Sequence, residues 1–427
     1  MKLAPLAVLL AAVAPPAAAE QLIAIRAGRV IDVEQGEVRR DLVILVRGER
    51  IERLQAAADP LPKDARVLDL SRYTVLPGLI DCHTHLVDDA QSSGVLAPLE
   101  HSEAQQAYIA ALHARQTLLA GFTSVRDVGT WRVFTDVALR DAIDRGIVPG
   151  PRMAVAGTYV TRSGGAGDLT GVPRELQLPP EFRFGVANSA LEVRQRVREL
   201  LNGGADFIKV MATGAVLTRG NKPGVPELTE DEMHAAVLEA ALFGAKVTAH
   251  AHGAEGIKNA IRAGVQSIEH GSLMDDEAIR MMKEHGTFLI ADIYNGDYIA
   301  TEGKRLGWPA EYLRKNDETT DAQRAGFRRA VAAGVKLAYG TDSGVYPHGW
   351  NAKQLPYMVR YGMTPMQAIQ SATIVAARNI GREDRVGSLT AGKYADLIAL
   401  EGDALADLGR FENVPFVMQG GVVVKGP

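Results

Sequence analysis

Cysteine is almost absent from this sequence, since Cys82 is the only one among 427 residues. A single cysteine cannot form an intramolecular disulfide, and it excludes zinc and iron–sulfur sites built from several thiolates. A metal ion would therefore have to be held by histidine and carboxylate side chains.

An excess of charge of either sign is also missing. The 47 Lys and Arg residues are balanced by 51 Asp and Glu residues, which gives a formal net charge of −4. Such a chain has no long-range field that would attract nucleic acid or an anionic membrane surface. We expect its partner to be a small molecule or a dipeptide.

Long hydrophobic runs are missing except at the N-terminus. Lys2 precedes an apolar stretch at residues 3–13, and Pro15, Pro16 and the alanines at 17–19 follow it and provide an A-x-A site. This layout is typical of a secretory signal peptide, and the apolar run is too short to span a membrane. We expect residues 1–19 to be removed and the mature protein to be periplasmic or secreted.

The two ends of the remaining chain are β-rich. At about 150 residues per domain, the length suggests two or three domains. The N-terminal β-rich stretches are residues 22–25, 28–32, 42–46 and 50–54, and the C-terminal ones are 395–400, 416–418 and 422–424. A Gln-Gly-Gly turn at 419–421 predicts that the last two form a hairpin. We predict one small β-sandwich domain formed by residues 20–73 and 382–427.

The middle of the chain, residues 74–381, alternates apolar strands with helical segments. The eight candidate strands are residues 75–85, 123–128, 152–159, 207–212, 246–251, 267–270, 287–292 and 336–342. Helix start signals occur at Ser189 with Glu192, at Thr229 with Glu232, and at Thr364-Pro365 with Gln367. This alternation predicts an α/β fold with parallel strands. At roughly 300 residues a closed (β/α)8 TIM barrel is favoured over a doubly wound sheet, which would carry a Gly-rich phosphate loop after its first strand.

Candidate metal ligands lie at the ends of these strands. His83 and His85 end the first one and share a face, because side chains alternate along a strand, whereas Cys82 points to the opposite face and is predicted to pack beneath the helices. Two adjacent imidazoles suit zinc. His250, His270 and Asp342 end the fifth, sixth and eighth strands, and the C-terminal ends of barrel strands all face one mouth.

Lys209 lies within the apolar strand at residues 207–212, where an unpaired ammonium would be costly. It could form an ion pair with a neighbouring carboxylate such as Asp127. Alternatively, its neutral amine could react with CO2 to give an N-carboxylysine that bridges two metal ions. Spacing alone does not distinguish these alternatives.

Six sequence motifs together resemble the amidohydrolase superfamily. They are L-P-G-L-I-D-C-H-T-H (76–85), F-I-K-V-M-A-T-G (207–214), T-A-H-A-H-G (248–253), I-E-H-G (268–271), G-T-D-S-G (340–344) and G-S-L-T-A-G-K-Y-A-D-L (387–397). More narrowly, they resemble its branch of exported Xaa-Pro dipeptidases, carboxypeptidases and ochratoxin-hydrolysing amidases, which is related to imidazolonepropionase. The resemblance covers nearly the whole mature chain.

The resemblance implies two zinc ions, although other divalent metals are possible. It places His83 and His85 on one ion, His250 and His270 on the other, and N-carboxylated Lys209 between them. Asp342 is then both a ligand and the acceptor of a proton when a metal-bridged hydroxide attacks an amide or peptide carbonyl. We also expect a homo-oligomer.

The sequence gives weaker evidence for the residues that contact the substrate than for the metal ligands. His252 could donate a hydrogen bond to the substrate carbonyl or could support a ligand, and Tyr159, Arg162 and Arg219 could bind a substrate carboxylate. Ala166 stands in a mouth loop where many relatives carry a histidine, which puts in doubt any substrate contact carried over there.

Two other functions remain open at this stage. A metal-dependent lactonase or phosphotriesterase would use the same metal ligands. A periplasmic solute-binding protein would also be exported and α/β, but it would have two similar lobes and no reason to place ligand-type residues at five strand ends.

Overall fold

The computed structural model describes residues 21–88, 96–173 and 175–426. The predicted signal peptide lies outside these residues. The strands are β1 (Leu22–Asp32), β2 (Glu37–Arg47), β3 (Arg50–Ala56), β4 (Arg66–Pro77), β5 (Leu79–Thr84), β6 (Phe122–Asp127), β7 (Arg152–Val155), β8 (Tyr159–Val160), β9 (Ile208–Met211), β10 (Val247–Gly253), β11 (Ser267–Leu273), β12 (Phe288–Ile290), β13 (Leu397–Glu401), β14 (Phe416–Gln419) and β15 (Val422–Lys425).

The α-helices are α1 (Glu103–Leu119), α2 (Thr135–Asp144), α3 (Ala190–Asn202), α4 (Glu230–Ala241), α5 (Ala254–Ala263), α6 (Asp276–His285), α7 (Asn295–Tyr298), α8 (Ala310–Ala333), α9 (Gln354–Arg360), α10 (Pro365–Ser371) and α11 (Ile374–Asn379). The predicted start signals are confirmed: Ser189, Thr229 and Thr364 each accept a hydrogen bond from the backbone N–H three residues later. Within the described ranges, no helix combines the length and the apolar character needed to cross a membrane.

Strands from the two chain ends form one seven-stranded sheet in the order β15-β14-β13-β4-β1-β2-β3. Its neighbours pair antiparallel except β1 and β4, which are parallel. The C-terminal hairpin is present, with β14 and β15 joined through Gly420 and Gly421. Strands from both chain ends therefore lie in a single hydrogen-bonded sheet, and the β-sandwich domain at residues 20–73 and 382–427 stays a prediction.

The strand predicted at residues 75–85 is divided between two sheets. Its first part belongs to β4 in the terminal sheet, and its second part forms β5, with Gly78 between them. A Cβ atom at Gly78 would lie 2.1 Å from Oγ1 of Thr123, so only glycine allows this close approach. The Gly78 N–H donates to the Asp396 carbonyl oxygen at 2.9 Å, which ties the division point to the terminal sheet.

The middle of the chain contains parallel strands alternating with helices, as predicted. They form a three-stranded sheet, β5-β6-β7, and a five-stranded sheet, β12-β11-β10-β9-β8. The predicted third strand, residues 152–159, is split into β7 and β8. The α/β architecture is therefore confirmed, but its strands are divided between two sheets.

The predicted eighth strand, residues 336–342, is an extended segment with isolated bridges instead of a strand. Its backbone bonds both neighbouring elements: the Leu289 N–H donates to the Lys336 carbonyl at 2.8 Å, and the Cys82 N–H donates to the Tyr339 carbonyl at 2.8 Å. Asp342 has φ +57°, which takes its backbone out of the strand conformation. This kink ends the extended segment at Asp342.

Cys82 points away from the histidines, as predicted. It is buried, packs with Ile80, Ala376 and Val386, and its Sγ lies 3.7 Å from the Ala376 carbonyl oxygen on α11.

The terminal sheet is joined to the parallel strands by a buried ion pair. Arg152 at the start of β7 donates from Nε to Oδ2 of Asp396 at 3.0 Å, and its guanidinium lies 3.7 Å from the centre of the Tyr394 ring. The Gly420 N–H donates to Oδ1 of Asp396 at 2.7 Å. Burial raises the pKa of Asp396, and Arg152 opposes that rise.

We expect Arg152→Met to lower the free energy of unfolding by about 3 kcal/mol, because Asp396 would be left as a buried carboxylate without its cation. Denaturant unfolding measures this. Arg280→Met is the matched control, since Arg280 forms an exposed pair with Glu277 at 3.8 Å, and should change stability by no more than about 0.5 kcal/mol. Equal effects of the two substitutions would contradict the claim that the ion pair between Arg152 and Asp396 stabilises the fold.

Candidate active site

Histidines and carboxylates from five separate segments meet at the C-terminal ends of the parallel strands. Their ligand-type atoms form three groups, each with its members within 4.8 Å of one another: His83, His85 and Asp342; His250, His252 and His270; and His270, Asp292 and Asp342. His270 and Asp342 occur in two groups, so the three groups form one continuous cluster. The structure thus brings together all five predicted His and Asp ligands.

His83 on β5 and His85, which follows the strand directly, project toward Asp342. The Nε2 atoms of both histidines lie 3.2 Å from Oδ1 of Asp342. Their other nitrogens are held by the protein: Nδ1 of His83 lies 2.7 Å from Glu269 Oε2, and Nδ1 of His85 lies 2.7 Å from the Gly129 carbonyl oxygen. Hydrogen bonding at Nδ1 orients each ring and leaves Nε2 as the nitrogen available to a metal.

Asp342 occupies a kinked position at the centre of the cluster. Burial alone would raise the pKa of Asp342, but His83 and His85 outweigh burial and hold that pKa well below its ordinary value. Its φ of +57° and the φ of +68° at His270 are uncommon for non-glycine residues. Strained backbone of this kind is held in place by surrounding structure and clusters at functional sites.

Asp292 is a member of the cluster that sequence analysis missed. Its Oδ1 lies 3.0 Å from Nδ1 of His270, and it accepts hydrogen bonds from Gln323 Nε2 at 2.9 Å and Asn295 Nδ2 at 2.7 Å. Asp292 ends the predicted strand at residues 287–292. This position at a strand end, which it shares with the other ligand-type residues, is the sequence signal that could have identified it. Burial raises the pKa of Asp292, but His270 and its hydrogen bond lower it overall.

His250 and His252 project from β10 beside His270. The His250 ring centre lies 4.6 Å from that of His270, and the His252 ring stacks on His270 at 4.8 Å. Burial, reinforced by His270, lowers the pKa of His252 to about 3 and that of His250 well below its ordinary value. Both imidazoles are therefore neutral and able to coordinate a cation. Ser272 Oγ lies 2.8 Å from Nδ1 of His252 and orients it.

Lys209 on β9 is 2% exposed and lines the same cavity. Burial lowers the pKa of Lys209 to about 8, against a raising effect of Glu269. Among the described residues, no carboxylate oxygen lies within 4.0 Å of its Nζ, so the ion pair with Asp127 that the sequence left open does not form. Lys209 is thus a buried amine close to the cluster and without a directly paired carboxylate in the described part of the chain.

Glu269 is the buried carboxylate beneath the cluster, and sequence analysis gave no reason to single it out. It accepts from Nη2 of Arg126 at 2.6 Å, in addition to its contact with His83, and also from the hydroxyls of Ser267 and Thr248. Burial raises the pKa of Glu269, but Arg126 and His83 overcome this and hold the pKa well below its ordinary value. The ionised carboxylate therefore both neutralises Arg126 and orients His83.

A cavity of about 360 Å³ opens onto the cluster. Tyr159, Ala166, Met211 and Ala215 pack together on one wall, so the predicted mouth-loop residue Ala166 is an apolar, buried part of that wall. The Tyr159 hydroxyl donates to the Gly129 carbonyl at 3.1 Å and lies 3.3 Å from Nδ1 of His85. Tyr159 therefore supports a histidine as well as lining the cavity.

The two candidate arginines occupy different places. Arg219 lines the main cavity, and in the described part of the chain no carboxylate lies within 4.0 Å of its guanidinium. Arg162 lines a separate, smaller cavity and lies 3.7 Å from Glu227. The structure thus brings Arg219, but not Arg162, to the cavity that contains the histidines.

We expect Glu269→Gln to lower the free energy of unfolding by about 3 to 5 kcal/mol at pH 7, because Arg126 would remain as an unpaired buried cation. A carboxyl group whose pKa is lowered by folding stabilises the folded state at pH values above its unfolded-state pKa of about 4.3. This stabilisation is lost as the pH falls toward the folded-state pKa. The difference in free energy of unfolding between wild type and Glu269→Gln should therefore become smaller below about pH 4. Denaturant unfolding at both pH values measures this. Glu284→Gln on the exposed face of α6 should have little effect, and a deficit independent of pH would contradict the charge-based explanation.

Comparison with known proteins identifies the family of this chain. Residues 74–426 match the model of the amidohydrolase family. Ochratoxinase from Aspergillus niger is 32% identical over 414 residues, which cover 92% of this chain and 84% of that protein. Imidazolonepropionase from Micrococcus luteus is 27% identical over 406 residues, which cover 89% of this chain and 92% of that protein.

Solved structures extend the similarity to three dimensions. A Xaa-Pro dipeptidase with methionine bound in its active site superimposes with a TM-score of 0.90 at 38% identity, covering 95% of this chain and 100% of that one. The ochratoxinase structure gives a TM-score of 0.86 at 31% identity and covers 96% of each chain. These neighbours imply a TIM-barrel-type α/β fold. Sequence, fold and site geometry agree that this chain is a hydrolase and belongs to the amidohydrolase family.

Proposed function

We propose that this chain is a binuclear zinc amidohydrolase that cleaves amide or peptide bonds of small, carboxylate-bearing substrates. Family membership makes it a hydrolase acting on amide or peptide bonds. The observation that carries the finer proposal is the continuous cluster of three ligand groups, whose members come from five segments and meet beside a buried lysine.

The donor set fits zinc. The imidazoles of His250 and His252 are neutral and the carboxylate of Asp342 is ionised, and these are the protonation states that metal ligation requires. We propose that His83 and His85 hold one ion and that His250 and His270 hold the other, with Asp342 as a further ligand. When bound, zinc supplies Lewis acidity that lowers the pKa of a coordinated water and polarises a carbonyl.

We propose that Lys209 is N-carboxylated. Burial brings the pKa of its amine to about 8, so a neutral fraction exists near neutral pH. The lone pair of the neutral amine would form an N–C bond with CO2 while one C=O π bond opens onto oxygen, and one N–H proton would leave to solvent, giving a carbamate whose single negative charge is shared by two oxygens. That negative charge would suit a position between two metal ions and would remove the cost of burying an ammonium.

Asp342 is the residue that moves the proton. Its ionised carboxylate is positioned to accept a proton from the attacking water, and the resulting carboxylic acid can return this proton to the leaving amine. His252 is held by Ser272 through Nδ1, so its Nε2 faces away from that contact and could donate to the carbonyl oxygen of the substrate. Asp292 positions His270.

We further propose the substrate class. The similar structures include a Xaa-Pro dipeptidase with methionine bound in its active site and ochratoxinase, and both methionine and any dipeptide carry a carboxylate. Arg219 lines the cavity with no carboxylate of the described residues paired to it, and the apolar wall with Tyr159 and Ala166 suits a hydrophobic side chain. We therefore favour Xaa-Pro dipeptides or N-acyl amino acids such as ochratoxin A. Arg162 is a weaker candidate because it lies outside this cavity.

Several features remain part of this proposal. We propose that residues 74–381 close into a complete (β/α)8 barrel and that residues 20–73 and 382–427 form a β-sandwich domain. We also propose removal of residues 1–19, a periplasmic or secreted location, and a homo-oligomeric state.

We expect the zinc-loaded protein to hydrolyse at least one substrate in a panel of Xaa-Pro dipeptides and N-acyl-phenylalanines that includes ochratoxin A. Lys209→Ala should lose bound zinc, measured by elemental analysis, and should lower kcat/KM by about a thousandfold or more. Lys258→Ala is the control, because this lysine pairs with Asp275 and Glu277 on the outer helices.

Normal turnover by Lys209→Ala would contradict the bridged-metal hypothesis. Lactones and phosphotriesters belong in the same panel, because such enzymes would use the same ligands. Cleavage of these esters without cleavage of any amide would overturn the amidase proposal.

We expect Arg219→Met to raise KM for N-acyl-phenylalanine by about tenfold or more, because the substrate carboxylate would lose its cation. Arg162→Met should change KM by less than about threefold, since its charge is directed to Glu227 outside the main cavity. Steady-state kinetics on both variants measures this. The reverse order of effects would assign carboxylate binding to Arg162.

A further inference from the structure

A buried lysine on α8 has no part in the site described above. Lys315 is 3% exposed, and a buried ammonium needs specific partners to offset the loss of solvation. Its Nζ lies 2.7 Å from Oε1 of Glu311, one helical turn away, and donates to the Thr218 carbonyl oxygen at 2.6 Å. The ion pair therefore reaches from α8 to the mouth loop that carries Arg219.

Both residues that flank Arg219 are held by this pair. The carbonyl of Thr218 accepts from Lys315, and the N–H of Gly220 donates to Oε1 of Glu311 at 2.9 Å. Gly220 has φ +78°, which glycine adopts without the penalty that a side chain would bring. One ion pair thus fixes the backbone immediately before and immediately after the arginine.

The remaining contacts of the turn come from the loop at residues 161–171. Thr218 Oγ1 donates to the Ala166 carbonyl at 3.0 Å, and Thr170 Oγ1 donates to the Arg219 carbonyl at 2.8 Å. A Cβ atom at Gly171 would lie 2.7 Å from Cδ of Arg219, so the stem of the arginine packs directly on this glycine. The backbone of the turn is therefore held from two sides, and the stem of the exposed arginine packs on Gly171.

The same part of α8 also forms the wall of the cavity. Tyr312 lies between Glu311 and Lys315 in the sequence, lines the cavity, and is close enough to Arg219 for the guanidinium to affect the pKa of its hydroxyl. The Lys315–Glu311 pair therefore attaches the turn that carries Arg219 to α8, in addition to its contacts with the loop at residues 161–171.

We infer that Lys315 is a positioning residue: with Glu311 it clamps residues 218–220 so that the Arg219 guanidinium is pre-oriented to bind the carboxylate of the substrate. This inference rests on the proposed function. Preorganisation of a cation reduces the entropy lost on binding, so the clamp contributes to binding of the carboxylate without entering the chemical step.

The test compares wild type, Lys315→Met and Arg219→Met on N-acetyl-phenylalanine and on its carboxamide, which lacks the carboxylate. We expect Lys315→Met to raise KM for the acid by about tenfold, equivalent to about 1.4 kcal/mol, with kcat within about twofold. KM for the carboxamide should not change. In an Arg219→Met background, Lys315→Met should add no further loss, because the two residues act as one unit.

Hydrogen exchange provides a measurement that does not need activity. The amides of residues 214–224 should exchange faster in Lys315→Met than in wild type, while Lys258→Met, which removes a paired lysine elsewhere, should match wild type. If Lys315→Met does not fold, Glu311→Gln replaces it, since that variant removes the charge but keeps an oxygen for the Gly220 N–H.

Equal losses on the acid and the carboxamide, full additivity with Arg219→Met, or unchanged exchange at residues 214–224 would each overturn the clamp. If wild type hydrolyses neither compound, the proposed function fails for these substrates. In that case, calorimetry measures Kd for the acid and for the carboxamide, and hydrogen exchange is measured as before. A loss of binding by Lys315→Met that is confined to the acid would support the clamp.

Discussion

The carboxylate of Glu269 neutralises a buried arginine and orients a histidine at the same time, and the candidate site depends on this double contact. Arg126 reaches it from β6, and the same guanidinium donates from Nε to the Cys82 carbonyl at 2.7 Å. The charged groups are therefore balanced below the site, and His83 presents its free nitrogen toward Asp342. A change in this pair would alter both the stability of the parallel strands and the geometry of the cluster.

In the cluster, the surrounding structure holds several ionisable side chains close together. Five imidazoles and two carboxylates belong to the cluster. Four of the histidine rings are oriented by a contact at Nδ1: Glu269 for His83, Gly129 for His85, Ser272 for His252 and Asp292 for His270. Such outer contacts set which nitrogen is available for coordination. Positive φ angles at His270 and Asp342 add strain that the surrounding bonds must compensate.

The mouth of the cavity is organised by a different principle. The loops at residues 161–171 and 213–227 hydrogen-bond to each other, and α8 holds the second of them through the ion pair of buried Lys315 with partly exposed Glu311. Loops of this kind carry substrate selectivity in α/β barrels because the strands below them already supply the chemistry. The apolar wall around Ala166 and the cation of Arg219 give this mouth two contrasting sides.

Much of the fold could be predicted because local patterns carry it. The alternation of apolar strands and capped helices identified the parallel α/β body, and the helix starts at Ser189, Thr229 and Thr364 agree with the structure. The first and eighth strands were less predictable. The first is divided at Gly78, where Thr123, distant in sequence, leaves no room for a side chain, and the eighth forms only isolated bridges before the positive φ of Asp342 ends it.

The sequence by itself determined the ligand types: with one cysteine, any metal site must use imidazole and carboxylate, and the placement of these residues at strand ends indicated that they would meet. Only the tertiary structure decided their partners. Asp292 joined the cluster, and Glu269 was placed beneath it. Asp127 was kept from pairing with Lys209, and Arg219 was placed at the cavity of the histidines while Arg162 was placed at a separate one. The physical reason is that pairing and burial depend on distances between segments that are far apart in the chain, and local periodicity does not encode those distances.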